Sequence, residues 1–336
     1  MNIKGIGIIS PSTGNIALYP KRVKRGENYL KDCGFQVKFS THSGKNLRLV
    51  SASAVDRVSD IYSFLNDDDI NIIISSIGGY NCNHLLPLLN YEKIIEMKKI
   101  FVGYSDISTL LIAIYIKTGV PVLHGPTFLP EFCEYPNPYT DTMDSFINVL
   151  TKSEVAHTFA GYQIKQYVDW SEEENNPPIV KAREYSDCWQ VLMPGEAFGI
   201  LIGGNLQALS LLYGSEYLPE GSFDDKIVFF EDCNQSVPII DSMLTSLKLK
   251  NAFLKIKGFI WGRSPYHEVN EQISNVLINT LPNNIPIVYN VDIGHTNPKI
   301  SIPIGLNALL FSDIKNTIIL KTEGLKKFYK KKENDQ

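Results

Sequence analysis

The chain has 336 residues, 44% of them hydrophobic and 20% charged, with a formal net charge of −4. These values fit one or two globular domains with real cores, and they give no overall attraction to nucleic acid or to an anionic membrane surface. Five cysteines, at 33, 82, 133, 188 and 233, are odd in number and lack C-x-x-C spacing. Neither a disulfide framework nor a structural zinc site is expected, and a reducing, cytoplasmic compartment is.

Ile3–Ile9 reads as a first strand, because Pro11, Ser12 and Gly14 stop the apolar run far short of a signal peptide or a membrane span. Residues 19–33 suit a surface helix, Phe35–Phe39 alternates as a strand, and Ala54–Leu65 has helical spacing. Ile70–Ile74 is a continuous β-branched run, the mark of a parallel strand covered on both faces. A helix near His84–Met97 and a strand at Ile100–Val102 follow. The next helix is expected to open at Asp106 and stop at Gly119, ahead of a short strand at Val120–His124. Repeated strand–helix units imply a doubly wound parallel sheet with ligands at the carboxyl ends of its strands. After EFCEYPNPYTD the pattern loosens, and 168–194 reads as a long exposed loop. A second, mixed α/β half then offers a helix from Gly204-Asn205-Leu206 through Leu212, a strand at Lys226–Phe230 and a helix near Ile239–Leu249. Strands at Ile256–Trp261 and Ile287–Tyr289 flank a helix over 268–280, and an alternating β stretch covers 299–320. The lysines at 326, 327, 330, 331 and 332 read as a solvated basic tail.

Three residues stand where chemistry is expected. Ser105 lies at an abrupt strand-to-helix junction, where free helix N–H groups face whatever the hydroxyl attacks, as in a nucleophile elbow, although G-x-S-x-G is absent. A Ser-Asp pair at a helix start is also a common cap. Glu231 follows an emerging buried strand, and His295 sits in the Gly-flanked turn DIGHTNP. Serine needs a base, and the base needs an orienting partner; Ser105, Glu231 and His295 supply these parts in the chain order of α/β hydrolases. The alternatives are a strand-end carboxylate capping a turn and a histidine bonded to backbone. Gly78-Gly79 and the amide of Asp106 are candidate oxyanion donors. His42, His84, His124, His157 and His267 form no metal-binding pattern, and His124 is expected to pack at a strand end, so neither metal nor cofactor is expected.

IGGYNCNHLLPLLNY (77–91), VGYSDISTLLIAIYIKTGVPVLHGP (102–126), GILIGGNLQAL (199–209), FFEDC (229–233) and DIGHTNPKISIPIG (292–305) together resemble the LD-carboxypeptidase family of serine peptidases over nearly the whole chain. The resemblance implies a flavodoxin-like domain (1–150) with the nucleophile, a linker and active-site loop (151–194), and a smaller swivelling β/α domain (195–325) with the Glu and His, before the tail (326–336). It implies Ser105 as nucleophile, Glu231 and His295 completing a triad, and an oxyanion hole from Gly78 or Gly79 with Asp106, in a homodimer. Murein-recycling members usually carry Arg before the first Gly-Gly, whereas this chain reads Ser76-Ile77-Gly78-Gly79-Tyr80, which resembles the microcin C self-immunity branch. That branch cleaves peptidyl- or aminoacyl-nucleotide conjugates and stacks the nucleobase on a loop aromatic. Trp170 is the choice here over Trp189, against the alternative of a tryptophan buried between domains, and Asn205 is expected to line the cleft. The expected partner is therefore a small peptide or aminoacyl-nucleotide substrate. Murein tetrapeptide cleavage is the alternative within enzymes, and a non-catalytic protein that binds nucleotide-like ligands is the alternative outside them.

Overall fold

The computed structural model describes residues 4–165, 168–185, 188–233, 235–265 and 267–334. Its first half runs β1 (Gly5–Ile9), α1 (Pro20–Asp32), β2 (Gln36–Phe39), α2 (Ala54–Leu65), β3 (Ile72–Ser75), α3 (Tyr91–Met97), β4 (Ile100–Gly103), α4 (Ser108–Thr118), β5 (Val122–His124) and α5 (Thr140–Thr151). Ser53 caps α2 through Asp56 N–H at 3.1 Å and Asn90 caps α3 through Lys93 N–H at 3.0 Å, as short polar side chains do at helix starts. The expected helix over 84–97 is broken: Cys82–Leu88, which contains Pro87, winds as a 3-10 helix, and α3 restarts at the Asn90 cap. α4 ends at Gly119 as expected, but it begins at Ser108, after a single 3-10 turn over Ser105–Ile107.

Beyond α5 come β6 (Glu154–His157), β7 (Tyr162–Gln163), α6 (Trp170–Asn175), β8 (Glu184–Tyr185), β9 (Gln190–Met193), β10 (Gly195–Asn205), α7 (Leu206–Leu212), β11 (Ile227–Glu231), α8 (Val237–Leu249) and β12 (Gly258–Gly262). The chain closes with α9 (His267–Thr280), β13 (Ile287–Val291), β14 (Ile302–Ile304), β15 (Asn307–Ser312), β16 (Ile318–Glu323) and α10 (Leu325–Asn334). The 168–194 stretch is thus not simply a loop, since it holds α6, β8 and β9. The expected basic tail is a helix whose Leu325 and Tyr329 are buried. Its apolar residues recur at helical spacing, which the lysines between them mask.

The first sheet has the order β14-β5-β4-β3-β1-β2, parallel except where β14 pairs antiparallel with β5. All four residues of β3 are buried, as its unbroken apolar run predicts. The second sheet has the order β6-β16-β15-β10-β11-β12-β13-β9, parallel across β10 to β13 and antiparallel at both flanks. α4 packs against α3, β5, β10 and α7, and every residue from Ser108 to Ile114 is buried. Each of its buried Leu and Ile side chains stabilises the fold by about 1.5–3 kcal/mol. β14 departs from the reading of 299–320 as one unit: after His295 the chain returns to the first sheet before it rejoins the second. That return places the loop after β13 over the edge where β1, β3 and β4 end.

Candidate active site

Three short loops meet at the carboxyl ends of β1, β3 and β4. Ser105 follows β4 with φ +65°, a left-handed conformation rare for a residue with a side chain and typical of a tight functional turn. The capping alternative does not hold, because neither Ser105 nor Asp106 makes a side-chain cap at α4 or at the turn before it. Gly78 lies directly against the serine. A Cβ added there would stand 2.7 Å from Ser105 Cβ, 2.8 Å from its Oγ and 3.5 Å from the Asp106 amide nitrogen, so only glycine permits this approach. Gly79, with φ +135°, backs onto Thr13, whose N–H donates to Gly78 O at 3.3 Å.

His295 reaches this edge from the second half. Its Nε2 lies 3.2 Å from Ser105 Oγ and its Nδ1 lies 2.6 Å from Glu231 Oε2. Both nitrogens meet side chains, so the turn-histidine alternative fails. Glu231 ends β11 and is fully buried; burial alone would raise its pKa, but the His295 charge and hydrogen bond outweigh it and hold the carboxyl below its usual range. Burial pushes the His295 imidazole down, and the Glu231 carboxylate, with the Cys233 side chain, reverses this and raises it. Because an ionised Glu231 only accepts, Nδ1 carries the hydrogen between them; in the neutral imidazole Nε2 is then the acceptor for the serine hydroxyl. Next in sequence, Asp232 is pushed up to about 6 by burial and by the Glu231 charge.

Asn205 is opposite Glu231 in the β10–β11 register, and its Nδ2 donates to Glu231 Oε1 at 3.1 Å. Its Oδ1 caps α7 through Ala208 N–H at 3.1 Å. Asn205 lines the cleft as expected, but the partners seen here are the carboxylate and the helix. The sequence reading missed a second carboxylate at the site. Glu131, buried, accepts from Tyr104 OH at 3.0 Å, Lys299 Nζ at 2.6 Å and Thr127 N–H at 2.7 Å. The Tyr104 ring stands edge-on to the His295 ring with centroids 4.9 Å apart, and Lys299 Nζ lies 4.0 Å from the centroid of the Tyr104 ring. His124, as expected, packs at its strand end, 1% exposed between the rings of Tyr104 and Phe229.

Ser105, His295 and Asn205 line a cavity of about 610 Å³, together with Tyr80, Gln235 and Trp170. The Trp170 ring also carries the Arg22 guanidinium 4.5 Å from its centroid and meets the edge of Tyr19 at 5.4 Å. Trp189 is 5% exposed, donates from Nε1 to Asp292 at 3.2 Å and does not line this cavity.

Residues 6–125 match the family model for the LD-carboxypeptidase N-terminal domain and residues 198–310 that for the LD-carboxypeptidase C-terminal domain. The microcin C7 self-immunity protein MccF of Escherichia coli is 31% identical over 94% of this chain and 92% of its own length. A protein of Bacillus subtilis described as a probable murein peptide carboxypeptidase is 26% identical over 94% and 91%. The crystal structure of an MccF-like protein from Bacillus anthracis superposes with a TM-score of 0.87 at 30% identity, covering 96% of this chain and 98% of that one. MccF in complex with aspartyl sulfamoyl adenosine gives 0.84 at 30% identity, covering 97% and 98%. With both domain models matched in order, on either side of a cleft that joins their two sheets, the chain belongs to the LD-carboxypeptidase family.

Proposed function

We propose that the protein is a serine hydrolase that cleaves an amide bond in aminoacyl- or peptidyl-nucleotide conjugates. The observation that carries this is the hydrogen-bonded chain from Ser105 through His295 to the buried Glu231 at the wall of a cavity large enough for such a ligand. Neutral His295 takes the Ser105 proton at Nε2 as Oγ bonds to the amide carbon, while Glu231 holds the imidazole and balances the charge it gains. The oxyanion of the tetrahedral intermediate faces the Asp106 amide and the Gly78-Gly79 turn. The C–N bond then breaks, the leaving nitrogen takes the proton from His295, and a water activated by the same imidazole releases the acyl group from Ser105.

The nucleotide-conjugate branch is favoured over murein by the higher identity to MccF, by the sulfamoyl-nucleoside complexes of MccF, and by Trp170 at the cavity wall. Five free thiols suit work in a reducing cytoplasm. Removal of D-alanine from a murein tetrapeptide is the second reading, favoured by the murein-named relative. The test is mass spectrometry of products after parallel incubation with an aminoacyl sulfamoyl adenosine and a murein tetrapeptide ending in D-alanine. Release of the nucleoside sulfamate alone supports the first reading, and release of D-alanine alone replaces it with the second. Ser105→Ala is expected to remove all turnover and keep the fold; full activity in that variant would discard the nucleophile.

A further inference from the structure

We infer that the Asp106 carboxylate is a positioning residue that ties together the loops forming the oxyanion site around Ser105. The inference rests on the serine-hydrolase reading above and extends it from the Asp106 amide to its side chain. The loops need such a tie because Gly79, Asn81 and Ser105 all take positive φ, at +135°, +70° and +65°. For Ser105 that conformation is disfavoured and persists only where the surroundings impose it, whereas glycine and asparagine adopt it readily.

The surroundings are specific. One oxygen of the Asp106 carboxylate, Oδ2, accepts both Ser12 Oγ–H at 2.6 Å and Cys82 N–H at 2.9 Å. Ser12 belongs to the loop after β1 and Cys82 opens the 3-10 helix that follows the β3 loop, so a residue beside Ser105 clamps the other two segments. Arg57, 2% exposed on α2, clamps the same pair a second time: its Nη1 donates to Pro11 O at 2.7 Å and Asn81 O at 3.2 Å. Gly78 lies between these anchors, against Ser105 and the Asp106 amide. Burial holds the Asp106 pKa above its ordinary value, and the Ser12 and Cys82 bonds and the Arg57 charge only partly oppose it. Oxyanion donors act only when held at hydrogen-bond distance from the position the charge will occupy. A slack tie would therefore slow bond formation at Ser105 and leave ground-state binding unchanged.

Because a single oxygen takes both bonds, asparagine can keep them through its amide oxygen and alanine cannot. The experiment measures labelling of Ser105 in the full-length protein by a serine-directed fluorophosphonate, separating the maximal rate from the half-saturating concentration. Asp106→Ala is expected to lower the maximal rate about 10²-fold with the half-saturating concentration unchanged. Asp106→Asn is expected to stay within about fivefold of the parent, since the exchange keeps both acceptor bonds. Ser12→Ala, which removes the Asp106 bond together with the Ser12 hydroxyl's 2.9 Å contact to Tyr80 O, is expected to lose about tenfold in rate, and it decides the matter if melting curves show that Asp106→Ala does not fold. A folded Asp106→Ala or Ser12→Ala at the parental rate overturns the inference, as does an Asp106→Asn loss equal to that of alanine. Ser105→Ala is the control: labelling that persists there would sink the nucleophile itself, which is a different failure.

Discussion

The cavity has two walls built on different physics. On the reacting side, short loops from β1, β3 and β4 hold strained backbone with close hydrogen bonds, and His295 drops onto them from the other half. On the far side, the segment carrying α6 is docked by charge. Arg22 Nη1 meets both oxygens of Glu173 at 2.9 and 2.8 Å, Arg25 adds a contact at 2.7 Å, and Lys181 pairs with Glu134 at 2.7 Å. Arg22, Glu134, Glu173 and Lys181 are all at most 8% exposed at the side chain. Glu174 caps α1 from outside it, accepting Lys21 and Arg22 N–H at 3.0 Å each. One wall tolerates almost no displacement. The other is held by buried ion pairs, whose loss is severe because it strands a charge, although their formation contributes little net stability.

The sharpest way to break the comparison is at Glu231. Glu231→Gln is expected to lower kcat by about 10³–10⁴-fold, as loss of the orienting carboxylate does in other triads. The sign of the pH effect follows from the raised His295 pKa: the imidazole must be neutral to accept the serine proton, so kcat/KM of the parent should rise with pH above the ordinary 6.5. In the Gln variant that limb should move to lower pH; a limb that stays in place would remove Glu231 as the partner. Gly78→Ala comes next, with an expected loss of about 10²–10³-fold in kcat from displacement of Ser105 and its oxyanion donors, against a shift of only a few degrees in Tm. A near-parental kcat would show that this wall yields.

Glu173→Gln probes the opposite wall. It leaves Arg22 with a neutral neighbour and the longer 3.6 Å pair to Glu134, so the loss should stay below the roughly 3–5 kcal/mol of a buried pair broken outright. KM should rise about tenfold or more while kcat holds, and limited proteolysis should cut the segment around α6 faster. A fall in kcat with KM unchanged would erase the distinction between the walls. The smallest effect is expected at Asp232. Its folded pKa lies above the unfolded value, so its stabilising contribution is full below 3.8 and is lost as pH rises through about 6. Asp232→Asn should therefore raise the midpoint of urea unfolding above pH 6, where the parent carries that buried charge, and alter kcat less than about threefold.

The reacting wall was legible because its signals are local. β3 announces itself by an apolar run and the Ser105 turn by an abrupt change of period; in the structure His295, from its Gly-flanked turn, lies within hydrogen-bond distance of both Ser105 and Glu231. α5 is not anticipated although Met143, Phe146, Val149 and Leu150 carry its period, because the pattern loosens at EFCEYPNPYTD just before it. β10 was hidden by its glycines, which weaken a strand pattern. The Glu131–Lys299 pair spans 168 positions and the Arg22–Glu173 pair 151, and no local period encodes partners so far apart. Trp170 and Trp189 look alike in sequence; their surroundings separate them, one at the cavity and one buried just before β9 with its Nε1 on Asp292.

The antiparallel pairing of β14 with β5 has a consequence for how the molecule can come apart. Ile302, Pro303 and Ile304 register against His124, Leu123 and Val122, so a piece of the second half completes the edge of the first sheet. Any rocking of the second sheet must leave this strand behind and flex on either side of it. A chain severed between β8 and β9 would yield two fragments, one with a bare sheet edge and one trailing the strand that fits it. Each fragment would carry part of the hydrogen-bonded chain at Ser105. Mixing them would test that edge directly, since recovery of Ser105 reactivity would report their reunion.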